Sequence, residues 1–183
     1  MPRRLSRPEP ELADDVVRLE PLSRSLAPEF GWTVAGDPDI AEYTRIPTVP
    51  ADDFLESWLG RYEQGWEDGS RAGFAVRDAD GSTIGFAAFV ALSLEEREGE
   101  IGYALAPAAR GRGAARRSVD LLTRWGFEML GLQRIELWID TRNEPSVRVA
   151  ERCGYRLDGV LRSVHFKEGI RHDFAIWSRL AAD

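Results

Sequence analysis

Cysteine, lysine and histidine are scarce in this chain of 183 residues, and long apolar runs are absent. A single cysteine excludes an internal disulfide framework and any cysteine-based zinc site. It also fits a reducing compartment. The two histidines have no other suitable cluster around them, so no metal site is expected. No apolar run approaches the ~18 residues that a membrane helix needs. The opening MPRRLSRPEPELADD is too polar and proline-rich for the apolar core of a signal peptide. A cytoplasmic chain that keeps clear of membranes is the expectation. Lysine occurs once, at Lys167, among 24 basic residues. With arginine supplying the rest, arginine abundance by itself carries little meaning.

What is present points to a globular domain. Hydrophobic residues make up 43% and charged residues 30% of the chain, enough large apolar side chains to argue against disorder. The length suits one domain, residues 14–183, behind a flexible lead of residues 1–13. The 31 acidic residues outnumber the 24 basic ones, a formal charge of −7. The excess lies in residues 1–100, with 10 basic and 21 acidic side chains, whereas residues 101–183 carry 14 and 10. A net acidic surface argues against general nucleic-acid binding, whose affinity comes mainly from neutralising phosphates. It leaves room for one local anion site.

Hydrophobic periodicity outlines the elements. Asp15 to Pro21 alternates as a strand, and Ser23 to about Val34 reads as a helix with a short second piece after Asp37-Pro38. Pro47 and Pro50 bracket a loop, and Ala51-Asp52-Asp53 opens a helix to about Trp66. Ala72 to Arg77 and Thr83 to Leu92 form a hairpin around Asp80-Gly81. Glu100 to Leu105 is its next partner. From Gly113 the period becomes 3.6, giving a helix to about Leu130. Arg134 to Ile139 is a strand, and a helix starts at Pro145 and ends at Gly154. Tyr155 to Leu161 is a strand. Val164 to Phe166 and Arg171 to Ser178 make a last hairpin around Glu168-Gly169. The order implies an α+β fold, a mixed sheet with helices on both sides.

The stretch with most chemical content is Arg110-Gly111-Arg112-Gly113-Ala114-Ala115, between a strand and a long helix. Its glycines let the backbone approach a ligand closely. The free N–H groups of the helix start, with the positive end of the macrodipole behind them, favour an anion. Arg110, Arg112, Arg116 and Arg117 fall between Leu105 and Val119 with no acid among them. The combination suits a phosphate or pyrophosphate. Yet neither the P-loop string G-x-x-x-x-G-K-[S/T] nor the dinucleotide fingerprint G-x-G-x-x-G is present. Taken alone, the stretch could also be a glycine-rich turn with solvated arginines.

From Glu100 to Leu161 the chain resembles the GNAT superfamily of acyl-CoA-dependent N-acyltransferases. Arg110-x-x-Gly113-x-Ala115 matches that family's pyrophosphate loop, [Q/R]-x-x-G-x-[G/A]. Glu100-Ile101-Gly102-Tyr103, Asn143-x-x-Ser146, Gly154-Tyr155 and Gly159 to Arg162 are similar to the branch of ribosomal-protein N-terminal alanine acetyltransferases. The resemblance implies a mostly antiparallel sheet of about seven strands flanked by about four helices, splayed between its fourth and fifth strands. It implies acetyl-CoA as co-substrate and an amine as acceptor, with no metal, nucleic acid or membrane partner. Homodimers are common in that branch. By the same resemblance, backbone groups of Tyr103, Ala104, Leu105 and Ala106 pair with the pantetheine arm. The loop of Arg110, Gly111, Arg112, Gly113, Ala114 and Ala115 holds the pyrophosphate. Asn143 bonds the pantetheine, and Ser146 sits near the thioester sulfur and relays a proton to it. Glu100 is the candidate base. Many members carry a tyrosine seven residues after the asparagine, where this chain has Ala150, which moves weight onto Ser146.

Other residues have plainer readings. Glu100 could be a solvated strand residue and Ser146 a helix-start hydroxyl. Cys153 reads as a small buried hydrophobe, and His165 and His172 as surface residues beside the last turn, with the lining of an acceptor pocket as the alternative. Trp32, Tyr43, Trp58, Tyr62 and Trp66 fall on helices that would cover the acceptor side; most read as core, with one or two shaping the substrate pocket. The rival function is a non-catalytic acyl-CoA-binding sensor or interaction module.

Overall fold

The computed structural model describes residues 4–34, 37–44, 46 and 53–183. Its strands are β1 Leu12–Ala13, β2 Arg18–Pro21, β3 Ala72–Arg77, β4 Thr83–Ser93, β5 Glu98–Leu105, β6 Arg134–Asp140, β7 Arg156–Lys167 and β8 Ile170–Leu180. Its helices are α1 Ala27–Val34, α2 Pro38–Tyr43, α3 Phe54–Asp68, α4 Ala114–Glu128 and α5 Glu144–Arg152. All eight strands join one sheet in the order β1-β2-β3-β4-β5-β6-β8-β7. Every pair is antiparallel except β5 with β6. The expected mixed, mostly antiparallel sheet is present. The strand beyond the expected seven is β1, whose two residues are too short to show a period.

The alternation of side chains divides the core between two faces. On one face Phe74, Phe89, Ile101, Ile135 and Leu137 pack under Val119, Leu122 and Trp125 of α4. On the other, Ala75, Phe86, Ala88 and Ala104 receive Phe30, Trp58, Leu59 and Tyr62 from α1 and α3. Small strand residues there let the helices sit close. A Cβ at Gly73 would come within 2.6 Å of the Tyr62 ring. Trp66, one of the five aromatics read mostly as core, joins the α4 side, with ring centroids 5.4 Å from Phe74 and 5.9 Å from Trp125.

Residues 1–13, expected as a free lead, are held from Arg4 onward. Leu5 is buried in the α4-side core, and its N–H donates to the Trp66 carbonyl at 2.9 Å. Arg7 stacks over the Trp66 ring at 4.5 Å. The polar composition hid one well-placed leucine. The Pro47 and Pro50 loop and the expected helix start at Ala51-Asp52 lie outside the described residues. The two strands expected at Tyr155–Leu161 and Val164–Phe166 are one strand, β7, with a bulge at Ser163, whose φ is 58°. Glu168 and Gly169, at φ 50° and 83°, make the two-residue turn to β8.

The key feature lies between β5 and β6. Their parallel pairing runs only from Glu98 opposite Arg134 to Glu100 opposite Glu136. Beyond it β5 stays with β4 as far as Leu105, and β6 stays with β8 as far as Asp140. The two strands diverge into a V, the splay expected between the fourth and fifth strands. Ile101–Leu105 and Leu137–Asp140 each keep one edge without a strand partner.

Candidate active site

The arm of the V formed by β5 leads through a 3-10 turn, Pro107–Ala109, to the start of α4. Gly111 and Gly113 have φ of 76° and 84°, a conformation that favours glycine, and a Cβ at either would meet nothing within 4 Å. Gly113 is the N-cap of α4 and supplies no side-chain cap. The first N–H groups of a fifteen-residue helix therefore face open space with the macrodipole behind them.

The arginines around this start are less free than their linear spacing suggests. Arg110 donates to Asp37 and, at 2.7 Å, to Asp39 at the start of α2. Its Nε also donates to the Leu105 carbonyl at 3.1 Å. Arg117 is held by Asp14 at 2.9 Å and Asp15 at 2.6 Å, and Arg116 by Asp120 at 3.4 Å. Arg112 is exposed, and no salt bridge holds it among the described residues. Folding brings acids from residues 14, 15, 37 and 39 to a stretch that has none of its own. The surplus positive charge expected there shrinks to Arg112 and the helix dipole.

The β6 arm leads to Asn143, which caps α5. Its Oδ1 accepts from the Ser146 N–H at 3.2 Å, leaving the amide nitrogen to donate elsewhere. Ser146 stands on the first turn of α5 beside the Tyr103 phenol, which burial pushes up to about 12 against the opposing effect of the Ser146 hydroxyl. Tyr103 and Ser146, from opposite arms of the V, thus meet on the α4–α5 side. Glu100 lies at the vertex, on the opposite face, level with Glu136. Glu136 accepts from Trp138 Nε1 at 2.7 Å and pairs with Arg134 at 2.7 Å. Cys153 is buried, and desolvation pushes its thiol up to about 12, as suits a small hydrophobe.

Asp140 and Arg142 stand out here without having been singled out in the sequence, and His172 and Lys167 make contacts that the sequence did not show. Asp140, at the end of β6, is buried and accepts three hydrogen bonds from Arg142 at 2.8–3.0 Å. Burial pushes its carboxyl up, but those bonds outweigh it and hold the group below the usual aspartate range. Arg142 also reaches Glu42 at 3.0 Å and lies over the Tyr43 ring. His172, expected at the surface, has a side chain only 15% exposed, with Nδ1 3.7 Å from Asp140. Lys167 donates to the carbonyls of Ala41, Thr44 and Ile46, the last two at 2.8 Å. It ties the β7–β8 hairpin to the end of α2. Asp140 and Arg142 lie three residues and one residue before Asn143, the one signal that could have flagged them. The Lys167 contact spans more than 120 positions and leaves no local signal. Trp58 and Tyr62 line the α1–α3 core as expected, and the Trp32 side chain lies outside the described residues. Among the described residues no cluster of three metal-ligating side chains occurs, and no helix is long and apolar enough to cross a membrane.

A splayed parallel pair inside an antiparallel sheet, with an uncapped glycine-led helix start at its open end, is the frame of an acyl-CoA-dependent transferase. Residues 17–156 match the family described as Acetyltransferase (GNAT) domain, and the chain belongs to that family. It is 32% identical over 124 residues to the uncharacterised N-acetyltransferase YoaA of Bacillus subtilis (strain 168), covering 68% of each protein. It is 28% identical to the spermidine N(1)-acetyltransferase of Escherichia coli (strain K12), over 59% of this chain and 58% of that one. In fold it is similar to RimL, the ribosomal L7/L12 alpha-N-protein acetyltransferase, solved in complex with coenzyme A. That likeness has a TM-score of 0.79 at 18% identity, covering 93% of this chain and 97% of RimL. The chain is an N-acetyltransferase.

Proposed function

We propose that this acetyltransferase moves an acetyl group from acetyl-CoA to a primary amine, on a protein N-terminus or a small amine, by direct attack in a ternary complex. The observation that carries this reading is the V between β5 and β6, with two open backbone edges leading to the bare start of α4. Acetyl-CoA, when bound, supplies an activated thioester carbonyl. The chain supplies the rest. Backbone groups of Tyr103, Ala104, Leu105 and Ala106 pair with an extended arm as with an added strand. Amides from Gly111 to Ala115, with Arg112, hold the pyrophosphate, while Arg110 links that loop to α2. Asn143 donates its side-chain amide to the arm. A β5 amide near Leu105 donates to the developing oxyanion. Glu100, directly or through water, takes the proton that the ammonium must lose before it can attack.

The acetyl-CoA consumption rate across a panel of peptide N-termini, polyamines, amino sugars and amino acids tests the reading. Turnover with at least one amine is expected; none with any acyl-CoA overturns it. A Ser146→Ala/Glu100→Gln double variant should keep CoA affinity and lose rate, whereas a binding module would show no rate to lose. We further propose that the chain forms a homodimer through β7, one of the two outer strands of the sheet, where Leu157, Val160, Leu161, Val164 and Phe166 are exposed. A second copy of the chain would cover them.

A further inference from the structure

Tyr103 has a side chain that the reading above leaves unused. Its backbone belongs to the open edge of β5, while its ring packs against the α4-side core. The phenolic oxygen is buried and has no hydrogen-bond partner among the described residues. The Ser146 hydroxyl is the neighbour that stabilises its ionised form. A buried hydroxyl without a partner is a cost to folding, and buried polar groups are nearly always paired. Phenylalanine would fill the same space without that cost. Tyr103 shares that core with Val147, Val149 and Ala150 of α5, and at the start of the helix the Ser146 N–H is taken by Asn143 while the Ser146 side chain is not needed for the cap. One turn further along α5, the buried Ala150 has nothing to donate.

We propose that Tyr103 is a positioning residue for acyl transfer: once acetyl-CoA is seated, its unpaired O–H donates to Ser146 Oγ and so turns the Ser146 proton toward the thioester sulfur. The inference rests on the acetyl-transfer reading. In the reaction the amine nitrogen bonds to the carbonyl carbon, the C–S bond breaks, and its electron pair goes to sulfur. Ser146 O–H holds that sulfur as its negative charge develops. The proton that completes the thiol is the one the amine nitrogen releases, carried through water. Tyr103 keeps its own proton throughout, in line with the upward push of its burial. A single hydroxyl has only one proton to direct, so without a donor behind it Ser146 would spend it on the nearest free carbonyl of its own helix.

The test uses Tyr103→Phe, Ser146→Ala and the double variant, with three readouts. Thermal unfolding of Tyr103→Phe should match or exceed the wild type. By calorimetry the wild type should bind CoA more tightly than desulfo-CoA, and both single variants should lose that preference. With whichever amine turns over, kcat of Tyr103→Phe should fall about 100-fold, the lower end for loss of one preorganised donor, with KM for acetyl-CoA nearly unchanged. The double variant should be no slower than Ser146→Ala, because one residue acts through the other. An unchanged kcat, additive losses, or a retained preference for CoA in Tyr103→Phe would overturn the proposal. So would a fall in unfolding temperature together with lost CoA binding, which marks a purely structural tyrosine. A wild type that binds neither ligand instead overturns the acetyl-transfer reading itself.

Discussion

Gly113 separates stability from binding, and two substitutions there isolate each effect. Its φ of 84° is a left-handed conformation, and a Cβ built on it meets nothing within 4 Å. Gly113→Ala therefore adds backbone strain without a clash, about 1–2 kcal/mol. For a chain this long that lowers the thermal midpoint by roughly 2–8 °C. The free N–H groups stay in place, so CoA affinity should change by less than about tenfold. Gly113→Glu adds the same strain, partly offset by about 0.3–1 kcal/mol from a carboxylate at a helix N-terminus. It should be at least as stable as the alanine variant. Its effect on binding is far larger, because the new carboxylate occupies the place that the amides offer to a pyrophosphate. One pair of like charges about 4 Å apart near a protein surface costs about 4 kcal/mol, roughly a thousandfold in affinity. Calorimetry with CoA and differential scanning of both variants would measure the pair. If Gly113→Glu binds CoA within threefold of the wild type, the start of α4 is not the pyrophosphate site.

Three further outcomes follow from named contacts. Lys167→Met removes three bonds from one ammonium to the end of α2; about 2–3 kcal/mol, partly recovered by water, should be lost in chemical denaturation. An equal stability would mean that the hairpin does not anchor α2. Asp140 has a folded pKa below its ordinary 3.8, so the stability it supplies is present above that value and is lost as pH falls through the folded pKa. The stability gap between wild type and Asp140→Asn should accordingly be constant at pH 5–7 and close below about pH 4, and a gap that widens in acid would reverse the assigned sign. Val160→Arg on the exposed outer strand should shift the mass seen by light scattering from two copies toward one; a wild type already at one copy, or a mass unaltered in the variant, would refute a homodimer through β7.

The sequence was most legible where a local pattern and a local structure coincide. Asp80-Gly81 and Glu168-Gly169 mark turns by residue type, and the 3.6 period after Gly113 marks α4, because both signals sit within a few residues of what they specify. The V was readable only through resemblance, since the divergence of two strands depends on partners far away in sequence. The charges were misleading for the same reason. Arg110 and Arg117 looked unopposed along the chain, yet their acids come from residues about 70 and 100 positions earlier. His172 looked like a surface residue beside the last turn, but β8 carries it against Asp140. Leu5, one apolar residue in a polar lead, carried too little pattern to reveal that it would be buried.

The solitary lysine has a consequence beyond its anchoring contact. Every other basic side chain in the protein is an arginine or a histidine, and Lys167 is committed to three carbonyls. The folded molecule thus offers almost no side-chain amine to the very class of reagent it is built to activate. Incubated with a large excess of acetyl-CoA, its side chains should gain no acetyl mass until the fold is opened. Acetylation of Lys167 would then serve as a covalent record of how often the hairpin lets go of α2.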